Sequence, residues 1–132
     1  MTQKNIDMMG IIVDKIAEGE KFSKALKSVY SKRNVCIPYT EENLKASIME
    51  LKMAGRATNS LLRAKLFTIG DVVKFCEKQK ITNVANLGQS TGIEVFEAIL
   101  DYCWDRMGSD DRVSFLIDTV ERNSEYIREE IA

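Results

Sequence analysis

Histidine is absent from the 132 residues. Imidazole is the usual general base near neutral pH, the partner of serine and cysteine nucleophiles and a common metal ligand, so those chemistries are excluded. Cysteine is scarce as well: Cys36, Cys76 and Cys103 are odd in number and widely spaced, which fits neither a disulfide framework nor paired Cys-x-x-Cys zinc ligands. They read as buried thiols in a reducing compartment. Long apolar runs are missing too. The longest near the N-terminus, Met8 to Val13, contains Gly10 and is flanked by Asp7 and Asp14, too short and too acidic for a signal peptide or a membrane span. A cytoplasmic location without membrane attachment is expected. Neither a phosphate-binding P-loop nor a dinucleotide fingerprint occurs, and the carboxylate pairs Asp110-Asp111 and Glu129-Glu130 have no supporting constellation. The expectation is a protein that is not an enzyme, with no cofactor, no metal and no small-molecule substrate.

What is present describes a folded polypeptide: 45% hydrophobic and 30% charged residues with one proline suit one modest core. The net charge of -1 conceals a gradient. Residues 1–49 hold eight Lys/Arg against six Asp/Glu, residues 50–80 seven against three, and residues 81–132 four against eleven. A basic middle is suited to phosphate, and an acidic end to shielding it or to docking on a basic partner.

Helical periodicity dominates, and no alternating run has strand chemistry. An apolar stripe of Met8, Met9, Ile12, Val13 and Ile16 predicts a helix from about Asn5 to Ala17, ended by Gly19. Phe22, Ala25, Leu26, Val29 and Tyr30 predict another from Glu20 to Lys32, within a basic segment Lys21 to Arg33. Ile37 is held extended by Pro38, and Thr40 caps a helix from Glu41 whose Leu44, Ile48 and Leu51 carry it to Ala54-Gly55. A helix then starts near Arg56, with Leu61 and Leu62 inward. Thr68 and Asp71 form the start of the next, which Val72, Val73 and Phe75 bury. Ile81 to Leu87 is irregular or a single turn. Gly88 opens a long helix to about Met107 on Ile93, Phe96, Ile99, Leu100, Cys103 and Trp104, and Ser109 caps a last one whose stripe is Val113, Leu116, Ile117, Val120, Ile127 and Ile131. The fold class expected is all-α, divided as 1–39, 40–107 and 108–132: a helical hairpin, a central module, and an acidic amphipathic helix packed on the module.

Two places in the middle share one grammar, a helix, a short turn with an apolar residue and a glycine, and a second helix. They read Leu62-Arg63-Ala64-Lys65-Leu66-Phe67-Thr68-Ile69-Gly70-Asp71 and Val84-Ala85-Asn86-Leu87-Gly88-Gln89-Ser90-Thr91. Such helix-hairpin-helix turns let glycine bring the backbone close while N–H groups at the following helix start face a phosphate. Residues Glu50 to about Arg106 resemble the C-terminal domain of the bacterial RNA polymerase α subunit. The resemblance rests on Arg56-Ala57-Thr58-Asn59-Ser60-Leu61, on Arg63 to Val73, and on Asn86-Leu87-Gly88 with Thr91 and Glu94.

The resemblance implies binding to the minor groove of AT-rich DNA and contact with RNA polymerase or transcription factors. It implies a minor-groove role for Arg56, adjoining roles for Asn59 and Ser60, phosphate binding through Gly88, Ser90 and Thr91, and a glutamate near the contacts in Glu94. Narrow AT-rich grooves concentrate negative potential, which a guanidinium reads as width. A cation near a helix N-terminus is also unfavourable unless an anion is close, which points Arg56 toward phosphate. Three positions depart from the pattern: Ser90 stands where a lysine is usual, Ala54 where a capping Ser or Thr is usual, and Ala85 where a proline is usual. Lys52, Arg63 and Lys65 are candidates to replace the missing charge. The alternative expectation is a protein-interaction module that kept the fold but binds a transcription component or itself.

Overall fold

The computed structural model describes residues 1–32 and 34–131. Arg33, the end of the expected basic segment, lies outside them. Among the described residues there are seven α-helices and no strand longer than an isolated bridge: α1 Gln3–Ala17, α2 Phe22–Val29, α3 Glu41–Lys45, α4 Gly55–Arg63, α5 Ile69–Lys78, α6 Gln89–Asp105 and α7 Ser109–Arg122, with single 3₁₀ turns at Ile48–Glu50, Ile81–Asn83 and Ser124–Tyr126. The protein divides into two units, the first made of Met1–Pro38 with Cys103–Ala132 and the second of Tyr39–Tyr102.

In the first unit, the Thr2 hydroxyl accepts the Asn5 N–H and starts α1, which packs on α2 and α7. Met8 and Ile12 are buried on α1, and Phe22, Ala25, Leu26 and Val29 on α2. Helix α2 stops three residues short of the predicted Lys32 because Tyr30 turns extended to bridge Ile127. Ser31 N–H donates to Tyr126 O, and Arg128 N–H to Val29 O. The first and last parts of the sequence therefore pack on each other, a pairing that no local pattern announces.

Phe22 stacks on Trp104, centroids 4.5 Å apart, and Phe115 tilts against both rings. The Arg112 guanidinium lies 4.3 Å over Trp104 and Nη2 donates to the Trp104 carbonyl. Ring pairs of this kind add about 0.5–1.5 kcal/mol beyond the area they bury. In α7 the N-cap is Gly108 rather than Ser109. Val113 is 53% exposed and Phe115 is buried in its place, and α7 ends at Arg122, so Ile127 and Ile131 are not on the helix. Asn123, fully buried, closes the unit: Nδ2 donates to Cys36 O and Thr119 O at 2.7 Å each, and Oδ1 accepts the Cys36 N–H at 3.0 Å.

The second unit begins with α3, where Thr40 and Asn43 cap each other. The predicted helix from Glu41 to Ala54 is not continuous. Leu44, Ile48 and Leu51 have helical spacing, but the backbone turns extended at Ala46, where Ile69 N–H donates to Ala46 O and Ile48 N–H to Phe67 O. Ser47 pairs with Thr68, and its hydroxyl accepts the Met49 N–H. Backbone bonds from Phe67 and Ile69 thus displace the local helix pattern.

Helix α4 ends in a Schellman arrangement: Leu66 N–H reaches Leu61 O and Lys65 N–H reaches Leu62 O. Lys65 takes the left-handed position with φ 62°. Thr68 and Asp71 form the predicted capping box at α5, and Asp71 also accepts the Phe67 N–H. Val72 is buried as expected, while Val73 and Phe75 are half-buried. Gly70 is needed for contact rather than for its φ: a Cβ there would lie 2.8 Å from Leu44 O. Ile48, Leu61, Ile69, Val72, Ile81, Val84, Leu87, Val95 and Ile99 make the core of this unit.

Candidate nucleic-acid interface

Arg56 is the second residue of α4 and is exposed. Asn59 and Arg63, three and seven residues on, are exposed on the same face, whereas Ala57, Ser60 and Leu61 turn inward. Ser60 is only 4% exposed, so little of its hydroxyl reaches solvent. At the head of α6, Gly88 and Ser90 are exposed, Thr91 is 8% exposed and Glu94 is half-buried. Lys52 and Lys65 are exposed too.

One bond joins these two helix starts. Ala54 has no hydroxyl with which to cap α4, and its own N–H donates to the Glu94 carboxylate, 40 residues away, the part that an acid at the third helical position plays in a capping box. The α6 N-terminus and the Arg56-bearing α4 N-terminus are thereby tied together. The first-turn N–H groups of a helix have no partner within it and carry partial positive charge. Neither α4 nor α6 has an acidic residue in its first turn, so both starts remain electropositive apart from Glu94. The same carboxylate changes the argument from Arg56's position. An anion already lies at that helix end, so the place of the cation does not by itself demand phosphate.

The glycines of the two turns do not supply the left-handed backbone. The left-handed residues are Lys65 and Asn86, φ 62° and 66°, not Gly70 or Gly88. Asparagine is among the few residues that take this conformation readily, a signal that was open to reading at Asn86. A Cβ at Gly88 would meet nothing within 4 Å, which leaves the backbone open to a close ligand. Gly92 packs tightly instead, 2.7 Å from Ile81 Cγ2. Of the ten predicted residues, Arg56, Asn59 and Arg63 share one face of α4, and Gly88, Ser90, Thr91 and Glu94 share the head of α6. Ser60 lies on the inward face, and Lys52 and Lys65 lie on the flanking loops.

Among the described residues no cluster of three or more metal-ligating side chains occurs, and no helix is long and apolar enough to cross a membrane. Residues 37–101 match the family of the C-terminal domain of the bacterial RNA polymerase alpha subunit. That span coincides to within two residues with the second unit, Tyr39–Tyr102, and starts earlier than the predicted Glu50 because α3 is part of it. The DNA-directed RNA polymerase subunit alpha of Aquifex aeolicus (strain VF5) is 31% identical over 85 residues, 61% of this protein and 26% of the relative. The protein thus spans about a quarter of the length of that relative. No solved structure matches it.

Proposed function

We infer that a protein whose residues 37–101 resemble the polymerase α C-terminal domain is a small non-enzymatic DNA-binding protein acting in transcription, in the cytoplasm. Arg56 enters an AT-rich minor groove, Asn59 lines the same face, and the N–H groups from Gly88 to Thr91 hold the backbone phosphates. Glu94 ties the two helix starts together, and Lys52, Arg63 and Lys65 supply the charge that Ser90 does not. Residues 40–107 are the working module in this reading. The observation that carries it is the Glu94 bond to Ala54 N–H, because it brings together the two helix starts that the reading assigns to groove and phosphate.

The test is fluorescence-anisotropy titration of an AT-rich duplex at low and moderate salt, wild type beside Arg56→Ala. Expected is binding that weakens steeply with salt and loses about 1 kcal/mol or more in the variant. A folded protein that binds no duplex at low salt refutes it. The second reading, a module that binds a transcription component or itself, draws on Met49 and Phe67, 64% and 51% exposed and brought together where Ile48 N–H meets Phe67 O. Failure on DNA with capture of a purified polymerase subunit supports that one.

A further inference from the structure

Helix α1 is apolar over more of its circumference than its packing uses. Met8 and Ile12 are buried in the first unit, yet Ile6 and Val13 are 46% and 44% exposed. Ile6, Gly10, Val13 and Ala17 follow the i, i+4, i+7, i+11 spacing of one helix face, and Gly10 and Ala17 are exposed as well. A surface helix ordinarily carries a single apolar stripe with a polar face opposite. This one carries a second stripe facing water. Along one edge of it run Asp7, Asp14 and Glu18, all exposed, while Met9 and Ile16 run half-buried along the other. A Cβ at Gly10 would meet nothing within 4 Å, so a facing helix can approach closely at the middle of the stripe.

We propose that this face of α1 docks an amphipathic helix of another protein, one whose apolar stripe is edged by lysine or arginine. The acidic row selects the partner. Two copies of α1 packed antiparallel on this face set Asp7, Asp14 and Glu18 against the same row, and like charges repel. Packed parallel, the acids lie against Met9 and Ile16 and lose water without gaining a counter-charge. A basic edge satisfies them, and an apolar stripe covers Ile6 and Val13. The face lies outside residues 37–101, so the proposal stands apart from the DNA reading.

Two synthetic amphipathic helices with one leucine stripe, edged by lysine in the first and glutamate in the second, are titrated against the full protein by fluorescence anisotropy. The lysine-edged helix binds and the glutamate-edged one does not. Affinity falls roughly tenfold in Val13→Ser and in the double change Asp7→Lys with Asp14→Lys, and it falls with added salt. Gly10→Ala, which removes no contact and favours the helix, keeps the fold and weakens binding roughly fivefold by filling the seam. Circular dichroism checks that each variant is folded. Equal binding of the lysine-edged helix to wild type and Val13→Ser, or no binding of either helix, overturns the proposal. So does a dimer in sedimentation that Val13→Ser dissolves, since the face then belongs to a second copy.

Discussion

Replacing Gly70 by alanine sets two effects of opposite sign against each other, and the structure decides between them. Helix propensity alone favours alanine by about 1 kcal/mol in a helix interior, and by less at Gly70, the second residue of α5. Against this, the new Cβ would lie 2.8 Å from Leu44 O and 3.3 Å from Leu44 Cβ. The obstacle at 2.8 Å is backbone of α3, held by the Thr40–Asn43 capping box, so it cannot rotate away as the end of a long side chain would. Overpacking of this kind costs about 1–3 kcal/mol, which leaves Gly70→Ala less stable by about 1–2 kcal/mol. Urea unfolding followed by far-ultraviolet circular dichroism reads that loss as a lower midpoint at an unchanged slope. Two comparisons sharpen it. Gly92→Ala meets Ile81 Cγ2 at 2.7 Å, a methyl on a stiff β-branched side chain, and lowers the midpoint as well. Gly88→Ala meets nothing within 4 Å and leaves the midpoint unchanged. A Gly70→Ala protein as stable as wild type refutes the close packing of α5 on α3.

Asn123→Ala removes the two bonds donated by Nδ2 and the one accepted from Cys36 N–H; a loss of about 2–3 kcal/mol is expected, measured by urea unfolding with Trp104 fluorescence, since Trp104 lies in the same unit. Tyr30 is fully buried and its hydroxyl has no hydrogen-bond partner among the described residues, so Tyr30→Phe leaves stability unchanged or raises it by up to about 1 kcal/mol, and a clear loss in thermal melts contradicts that. Burial pushes Tyr30 from 10.0 up to about 12, Cys76 from 9.0 up to about 11 and Cys103 from 9.0 up to about 12. Each group holds its proton more tightly when folded, so this stabilisation is whole below pH 9, declines as the unfolded state deprotonates, and is spent by about pH 12. Denaturation midpoints across pH 8 to 11 should fall accordingly, less steeply above pH 10 in Tyr30→Phe.

The sequence disclosed what is local. Thr68 and Asp71 lie three residues apart, and their capping box needs nothing beyond α5 to form. The start of α4 at Gly55–Arg56 and of α6 just after Gly88 could be read the same way. Where a distant partner decides, the pattern misled. Leu44, Ile48 and Leu51 repeat like a helix, and only Phe67 and Ile69, bonding to Ile48 and Ala46, break it. The exposure of Val113 and burial of Phe115 reflect the ring cluster with Phe22 and Trp104, in which Phe22 comes from the opposite end of the sequence. At the candidate interface, Arg56 and Glu94 were legible as separate positions. The use of Glu94 as a remote acceptor was not, because nothing near Ala54 signals that its N–H is met from α6.

The first unit is interrupted by the whole of the second, and this gives its assembly a timetable during synthesis. Phe22 leaves the ribosome about 80 residues before its stacking partner Trp104, which at about 5–20 residues per second is a wait of roughly 4–16 s. Residues 39–102 hold all of their own unit and emerge during that interval, the last of them just ahead of Trp104, while the leading helices α1 and α2 still lack α7, the Phe115 ring and the Asn123 latch. A stalled or truncated product ending before Cys103 therefore carries every residue of the second unit and an unfinished apolar hairpin, which makes the newborn N-terminus the stretch most exposed to chaperones and proteases.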